Sequence, residues 1–136
     1  MPKKDIALIT GGGTGIGLSI AKKLHSMNKT VVLTGRRKEK LLEAKKLLKS
    51  RCHIVENDIS NLNSIPDLVN DIEKEIGPIN FLINNAGTHL RKIAVETTDA
   101  EWKSVIDTNL NSVFSLSREC AKKMIKRKRG NIILVG

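Results

Sequence analysis

Residues 10–17 read Thr10-Gly11-Gly12-Gly13-Thr14-Gly15-Ile16-Gly17, and the reading of this stretch decides the fold. An apolar run, Ile6-Ala7-Leu8-Ile9, precedes it, and Ile16, Ile20, Leu24 and Met27 follow at a spacing that predicts one apolar helix face. The order is therefore strand, glycine-rich turn, helix start. At such a junction the first N–H groups of the helix lack partners and the helix dipole adds positive charge, so a phosphate is held there. Glycines suit the turn because they tolerate positive φ and let the backbone come close to the anion. The spacing G-x-G-x-x-G fits at no register; G-x-x-x-G-x-G does, with Gly11, Gly15 and Gly17 at its fixed places. The alternative is a flexible turn without a ligand, and the strand and helix on either side favour the phosphate site. Gly11, Gly12, Gly13, Thr14, Gly15, Ile16 and Gly17 are thus the first candidate binding residues.

Outward from this loop, apolar runs alternate with helical patterns, which predicts βαβ units and an α/β fold with a doubly wound parallel sheet. Strands are expected at 5–10, 30–34, 53–56, 79–83 and 131–135. The helix after the first strand is expected from Gly15 to Met27, and Leu41, Leu42, Lys45 and Leu48 mark a second, basic helix. A third starts near Ser64 with Pro66 in its first turn, shows Ile65, Leu68, Val69, Ile72 and Ile76 on one side, and stops at Gly77-Pro78. A loop from Thr88 to Thr97 leads to Thr98, which with Glu101 forms a capping-box pattern. One long helix is expected from there, its apolar stripe running through Trp102, Val105, Ile106, Leu110, Val113, Phe114, Ser117, Cys120, Ala121 and Met124. Gly130 is its expected stop.

Right-handed crossovers place the first strand centrally, with the second and third strands on one side and the fourth and fifth on the other. The glycine loop, Arg36-Arg37, Asp58 and Asn85-Ala86-Gly87 then all fall at strand carboxyl ends, around one crevice. That convergence points to a ligand.

Composition excludes other classes. A chain of 136 residues makes one domain, 1–136, with 40% apolar residues and no run near the ~20 needed to span a membrane. The apolar stretch after Asp5 is too short for a secretion signal, and Cys52 and Cys120 are two lone cysteines, so reduced thiols in a cytoplasmic protein are expected. No metal-ligand spacing occurs. The net charge of +10 would suit nucleic acid, yet one Trp, two Phe and no Tyr leave no stacking surface, and nucleic acid is not an expected partner.

The end of the second strand selects the ligand. A carboxylate there would accept hydrogen bonds from the ribose hydroxyls of NAD, whereas arginine pairs the extra phosphate of NADP. The sequence reads Gly35-Arg36-Arg37, with no carboxylate before Glu39, so NADP is expected over NAD. Solvated surface arginines are the alternative.

In order and spacing, the glycine loop, Asp58, Asn84-Asn85-Ala86-Gly87 and the Trp102–Asn109 segment resemble the short-chain dehydrogenase/reductase family over the N-terminal half of its usual length. Thr88-His89-Leu90-Arg91-Lys92 and Val95-Glu96-Thr97-Thr98 are most similar to its 3-oxoacyl-carrier-protein reductase and gluconate 5-dehydrogenase branch. The resemblance implies a Rossmann-type NAD(P)-binding domain, truncated after the fifth strand. It implies that Asp58, with Ile59 beside it, holds the adenine, and that Asn85, Ala86 and Gly87 line the cofactor ribose. By pattern alone Asp58 could be a turn former, and Asn109, on a face expected to be buried, could be a core amide. The family makes Asn109 the catalytic Asn of a proton relay.

The family's remaining catalytic residues are a Ser after the fifth strand and a Y-x-x-x-K pair. The chain's G-x-I-I-x-x-G pattern, Gly130–Gly136, stops before that Ser, and no tyrosine is present. The implied function is an NADP(H)-dependent oxidoreductase interconverting a carbonyl and a secondary alcohol, seen here as its cofactor-binding half. A non-catalytic nucleotide-binding or interaction fragment is the alternative. A small carbonyl or alcohol substrate and a homo-oligomer are implied for the full-length parent. The Lys122–Arg129 cluster could dock acyl carrier protein or be a solvated helix end. With the fifth strand and the long helix left uncovered, self-association is expected.

Overall fold

The structure, a computed structural model, describes residues 5–136. Five parallel strands form one sheet: β1 (Ile6–Thr10), β2 (Thr30–Gly35), β3 (Cys52–Glu56), β4 (Ile79–Asn84) and β5 (Asn131–Leu134), in the order β3-β2-β1-β4-β5. Helices α1 (Gly15–Ser26) and α2 (Lys38–Leu48) cover one face. Helices α3 (Ile65–Glu75) and α5 (Ser112–Arg127) cover the other, with α4 (Asp99–Ile106) leading into α5. This is the doubly wound sheet expected from the alternation of patterns, with the first strand at its centre.

The period of two along β1 builds two cores. Ile6 and Leu8 join Val32 of β2 and Leu68, Ile72, Leu116 and Cys120 of α3 and α5. Ala7 and Ile9 point the other way, to Val31, Leu33, Ala21 and Leu41. The β1–β4 register slips between Ile6 and Ala7, so that Ile6 faces Ile79 but Ala7 faces Phe81. Asn80 is the extra residue, and this bulge lets Ile79 share a core with Leu82, three positions on.

Three expectations about helix faces need correction. On α1, Ile16 and Met27 are exposed, while Gly17 and Ala21 are buried and Leu18, Ile20 and Leu24 pack beside them. The small pair, four residues apart, lets the helix axis come close to the sheet, and close approach pushes larger side chains to the flanks. On α2, Ala44 takes the buried place beside Leu41, and Leu42 is exposed.

The predicted long helix is the third correction. It is interrupted by a π turn over Asp107–Asn111. One inserted residue rotates everything beyond it by about 100°. The buried residues of α5 are Ser112, Ser115, Leu116, Cys120 and Met124, whereas Leu110 and Phe114 are exposed, as is Trp102 before the turn. The turn falls in a polar run whose side chains bond one turn back along the helix. Thr108 Oγ1 donates to Ser104 O at 3.1 Å, Ser112 Oγ donates to Thr108 O at 2.6 Å, and Asn111 Nδ2 donates to Asp107 Oδ1 at 2.9 Å.

The termini of these helices mix expected and unexpected devices. Thr98 caps α4 with the reciprocal bonds of a capping box to Glu101. The end of α5 falls earlier than Gly130: Lys128 adopts the left-handed region at φ 53°, and Arg129 N–H bonds Met124 O. Gly130 has a different task, because a Cβ there would run into the Met124 side chain. The strand β5 is exposed throughout, as expected for a face without a covering layer.

Both cysteines lie in the core. Burial pushes the Cys120 thiol up to about 12, with the Glu73 charge adding to the effect, and raises Cys52 as well. Only the thiolate reacts with iodoacetamide. Native protein at pH 8 is expected to resist alkylation at both positions while urea-unfolded protein takes two labels, as mass spectrometry would count; rapid labelling of the native protein would contradict this packing.

Candidate functional site: a cationic cleft at the carboxyl ends of the strands

The glycine loop divides its work among residues that the sequence treats alike. Gly11 and Gly15 adopt φ of 61° and 55°, the left-handed region where a side chain costs energy. Gly12 is buried, and a Cβ on it would lie 2.9 Å from Leu33 Cδ2. Gly17 is packed so closely that a Cβ would collide with Gly11 O and lie 2.5 Å from Asn85 Nδ2. Nothing lies within 4 Å of a Cβ placed on Gly15, which faces open space. Gly12 and Gly17 thus hold the loop against sheet and helix, while Gly11, Gly13, Thr14, Gly15 and Ile16 face the cleft.

Thr10, at the end of β1, ties this loop to the end of β4. Its Oγ1 accepts the N–H groups of Asn85 (3.0 Å) and Ala86 (2.9 Å) and donates to Ile83 O at 3.4 Å. Asn85 Nδ2 in return donates to Thr10 O (3.1 Å) and Gly11 O (3.2 Å). Asn84 Nδ2 donates to Ser117 Oγ on α5 at 3.1 Å. The Asn84–Gly87 segment is therefore a clamp joining β1, β4, the glycine loop and α5. Thr10 had no role assigned from sequence; its place one residue before the first glycine is the signal.

The resulting cleft, about 590 Å³, is lined by the glycine loop, the end of β2, the turn after β3 and the end of β4. Arg36 and Arg37 both line it and, among the described residues, form no ion pair. Asp58, Ile59, Asn85, Ala86 and Gly87 line it too. Asp58 also serves its own turn, its Oδ1 accepting Ser60 N–H (3.0 Å) and Ser60 Oγ (2.7 Å). The turn-forming role and the cleft position hold together. Lys40, Asn57, His89 and Thr108 line the cleft without having been singled out. Asn57 Oδ1 is buried with no hydrogen-bond partner, while its Nδ2 donates to Ser64 Oγ at 3.1 Å.

Asn109 is exposed in this chain, not buried as its neighbours in sequence predict. The π turn swings it out and holds it against the loop after β4: Thr88 N–H donates to its Oδ1 (2.8 Å) and its Nδ2 donates to Thr88 O (2.7 Å). It lines a second cavity of about 520 Å³, beside Thr88, Leu90, Trp102 and Val105, and His89 borders both cavities. His25 Nε2 donates to Ser50 O (2.7 Å), outside the cleft lining.

The Lys122–Arg129 cluster is less free than its sequence implies. Lys122 pairs with Glu119, Arg129 with Asp5, and Arg127 with Glu73. Among the described residues no three His, Cys, Asp or Glu side chains cluster to hold a metal, and no helix is long and apolar enough to cross a membrane.

A parallel sheet in this order, with a glycine cradle at the first strand and a clamp at the fourth, defines a nucleotide-binding α/β protein. The sequence profile of the short chain dehydrogenase family matches residues 5–136, and the chain belongs to that family of oxidoreductases. It is 37% identical over 134 residues to a 3-oxoacyl-(acyl-carrier-protein) reductase of Buchnera aphidicola, covering 98% of this chain and 55% of the relative. To the gluconate 5-dehydrogenase of Gluconobacter oxydans it is 37% identical over 130 residues, 93% of this chain and 51% of that one. Among solved structures, a metagenomic short-chain oxidoreductase in complex with NADP superposes with a TM-score of 0.91 at 32% identity, over 98% of this chain and 62% of that one. The chain thus spans about half the length of the curated relatives it matches.

Proposed function

We propose that this chain is the NADP(H)-binding part of an oxidoreductase that interconverts a carbonyl and a secondary alcohol. The observation that carries the reading is the charge at the end of β2: Arg36 and Arg37 line the cleft where an NAD-binding carboxylate would stand, and Glu39 does not reach it. The residues fit such a cofactor. Gly11, Gly13, Thr14, Gly15 and Ile16 present an open cradle for the pyrophosphate, with the uncapped start of α1 beneath it. Arg36 and Arg37 would pair the adenosine 2′-phosphate, Asp58 and Ile59 would border the adenine, and Asn85, Ala86 and Gly87 the ribose. When bound, the nicotinamide supplies or accepts hydride.

Gly12 and Gly17 contribute by shaping the loop. Asn109 is the proposed member of the proton relay: with both amide atoms engaged by Thr88, it is held at a fixed place rather than left to rotate. Residues 1–136 act as one nucleotide-binding domain in this reading. Its NADP preference has a parallel in the metagenomic relative described with NADP. Substrate contacts belong to the parts of the relatives that this chain does not span. An acyl-carrier-protein partner draws on one relative's name only, and the paired cations at the end of α5 leave Lys123, Lys126 and Lys128 as its candidate contacts.

A second reading is nucleotide binding without catalysis, which needs no more than the cradle and cations that line the cleft. One experiment serves both. Titration of the purified chain should give NADPH at least tenfold tighter than NADH, with Arg36→Asp abolishing the difference and no NADPH-dependent carbonyl reduction by the chain alone. Equal affinities in the unaltered chain would overturn the cofactor assignment, and turnover would overturn the non-catalytic reading.

A further inference from the structure

We infer that Lys40 is a third cation for the adenosine 2′-phosphate and that Glu43 tunes its availability. The inference rests on the NADP reading above and adds a residue that determines specificity.

Four observations place Lys40 there. It lines the same cleft as Arg36 and Arg37. Its backbone is fixed against the glycine loop, since a Cβ on Gly13 would lie 3.3 Å from Lys40 C and 3.4 Å from Leu41 N. Its own N–H closes the first turn of α2 onto Arg37 O at 3.1 Å, which ties the position of Lys40 to that of the arginine pair. Finally, its ammonium is held only loosely: Nζ lies 3.4 Å from Glu43 Oε2, with the two side chains 39% and 67% exposed. An exposed pair one turn apart contributes little, so a phosphate dianion can outcompete it.

The chemistry divides in a definite way. A phosphate monoester carries about −1.5 to −2 charge at pH 7 and offers three acceptor oxygens. Planar guanidiniums engage two of these in forked geometry, and a compact ammonium on a flexible stem serves the remaining one as a point charge. Among the described residues the only carboxylate lining the cleft is Asp58, and its Oδ1 is already engaged by Ser60. Glu43, one turn further along α2, therefore becomes the group that competes for Lys40.

The test measures 2′,5′-ADP and 5′-AMP affinities by isothermal titration, alongside NADPH and NADH, on the whole chain. Lys40→Gln should weaken 2′,5′-ADP and NADPH five- to tenfold and leave 5′-AMP and NADH within twofold. Lys40→Arg should keep most of the preference. Glu43→Gln, which frees the ammonium, should tighten 2′,5′-ADP two- to threefold. Unaltered far-ultraviolet circular dichroism of each variant checks the fold. If the unaltered chain prefers NADPH and Lys40→Gln does not move that preference, the role of Lys40 is overturned while the NADP reading stands. If the unaltered chain shows no preference, both fall together.

Discussion

Gly17→Ala is expected to lower the stability of this chain by about 3 kcal/mol or more and to abolish nucleotide binding. A methyl group at Gly17 points at Gly11 O and Asn85 Nδ2, two atoms that are hydrogen-bonded to each other at 3.2 Å. Neither is the loose end of a flexible side chain. Gly11 sits in a left-handed conformation at the start of the loop, directly after β1, and Asn85 is tied through its own N–H to Thr10 Oγ1. Relief therefore requires α1 to move away from the loop or the clamp to open. Overpacking of this kind costs about 1–3 kcal/mol, and each buried hydrogen bond broken adds about 1 kcal/mol. A domain with roughly 5–15 kcal/mol in hand loses a large share of it.

Gly15→Ala provides the control. Its φ of 55° costs a side chain about 1–2 kcal/mol, but the Cβ meets no atom within 4 Å. The space it enters is where a phosphate would approach. Gly15→Ala should thus lose only about 1–2 kcal/mol in urea yet bind NADPH poorly, whereas Gly17→Ala should lose more stability and binding together. An unchanged urea midpoint for Gly17→Ala would show that the loop is not the close-packed joint described above.

The second large effect is expected away from the cleft, at Arg127. Its guanidinium makes a bidentate pair with Glu73 (Nη1–Oε1 2.6 Å, Nη2–Oε2 3.0 Å) and also donates to Ile79 O at 2.8 Å and to Asn80 Oδ1 at 3.4 Å. Glu73 Oε2 accepts Ile79 N–H at 2.6 Å. This one network joins α5, α3 and the bulged start of β4. The two side chains are 28% and 14% exposed, so solvent screens the pair in part.

Removing one partner of a fully buried pair costs about 3–5 kcal/mol, and discounting for exposure leaves about 2–3 kcal/mol for Arg127→Ala. Glu73→Gln combined with Arg127→Met should recover part of the loss, because no charge is then left alone. A double-mutant cycle in urea would read the coupling, with about 1–2 kcal/mol expected. Coupling near zero would reduce Arg127 to one more solvated cation of the basic cluster.

How far the sequence carried the fold is clearest at β1 and α3. β1 is a continuous apolar run and every one of its residues is buried, while α3 keeps a 3.6 period and buries Ile65, Leu68, Val69 and Ile72 on the face that the period names. Where the period misled, a specific local feature intervened. At α1 the close approach permitted by Gly17 and Ala21 displaced Ile16 and Met27 to the surface. At Asp107–Asn111 the π turn rotated the second half of the helix, so counting by 3.6 across it placed Leu110 and Phe114 inside and Asn109 with them, while Trp102 stands exposed on the preceding α4, which buries no residue. Arg127 and Lys122 look alike in sequence, and only the position of Glu73 distinguishes them.

The candidate site was legible for a related reason. Strand carboxyl ends can be read from the strands, and the polar residues that follow each strand must gather along one edge of a parallel sheet. Lys40, Thr10 and Asn57 were not legible. Lys40 reaches the cleft through the packing of α2 on the glycine loop, Thr10 acts through a bond spanning 75 residues, and Asn57 is known by the partner its carbonyl lacks.

The order of strands, the family and the cationic character of the cleft are thus determined by the sequence alone, because period, spacing and residue charge are properties of the chain itself. Which glycines face the cleft and which wedge the loop, which cations are already paired, and where Asn109 points were decided only by the tertiary structure. Each of these depends on atoms brought together from distant parts of the chain, and hydrogen bonds and collisions act over a few ångströms regardless of separation in sequence.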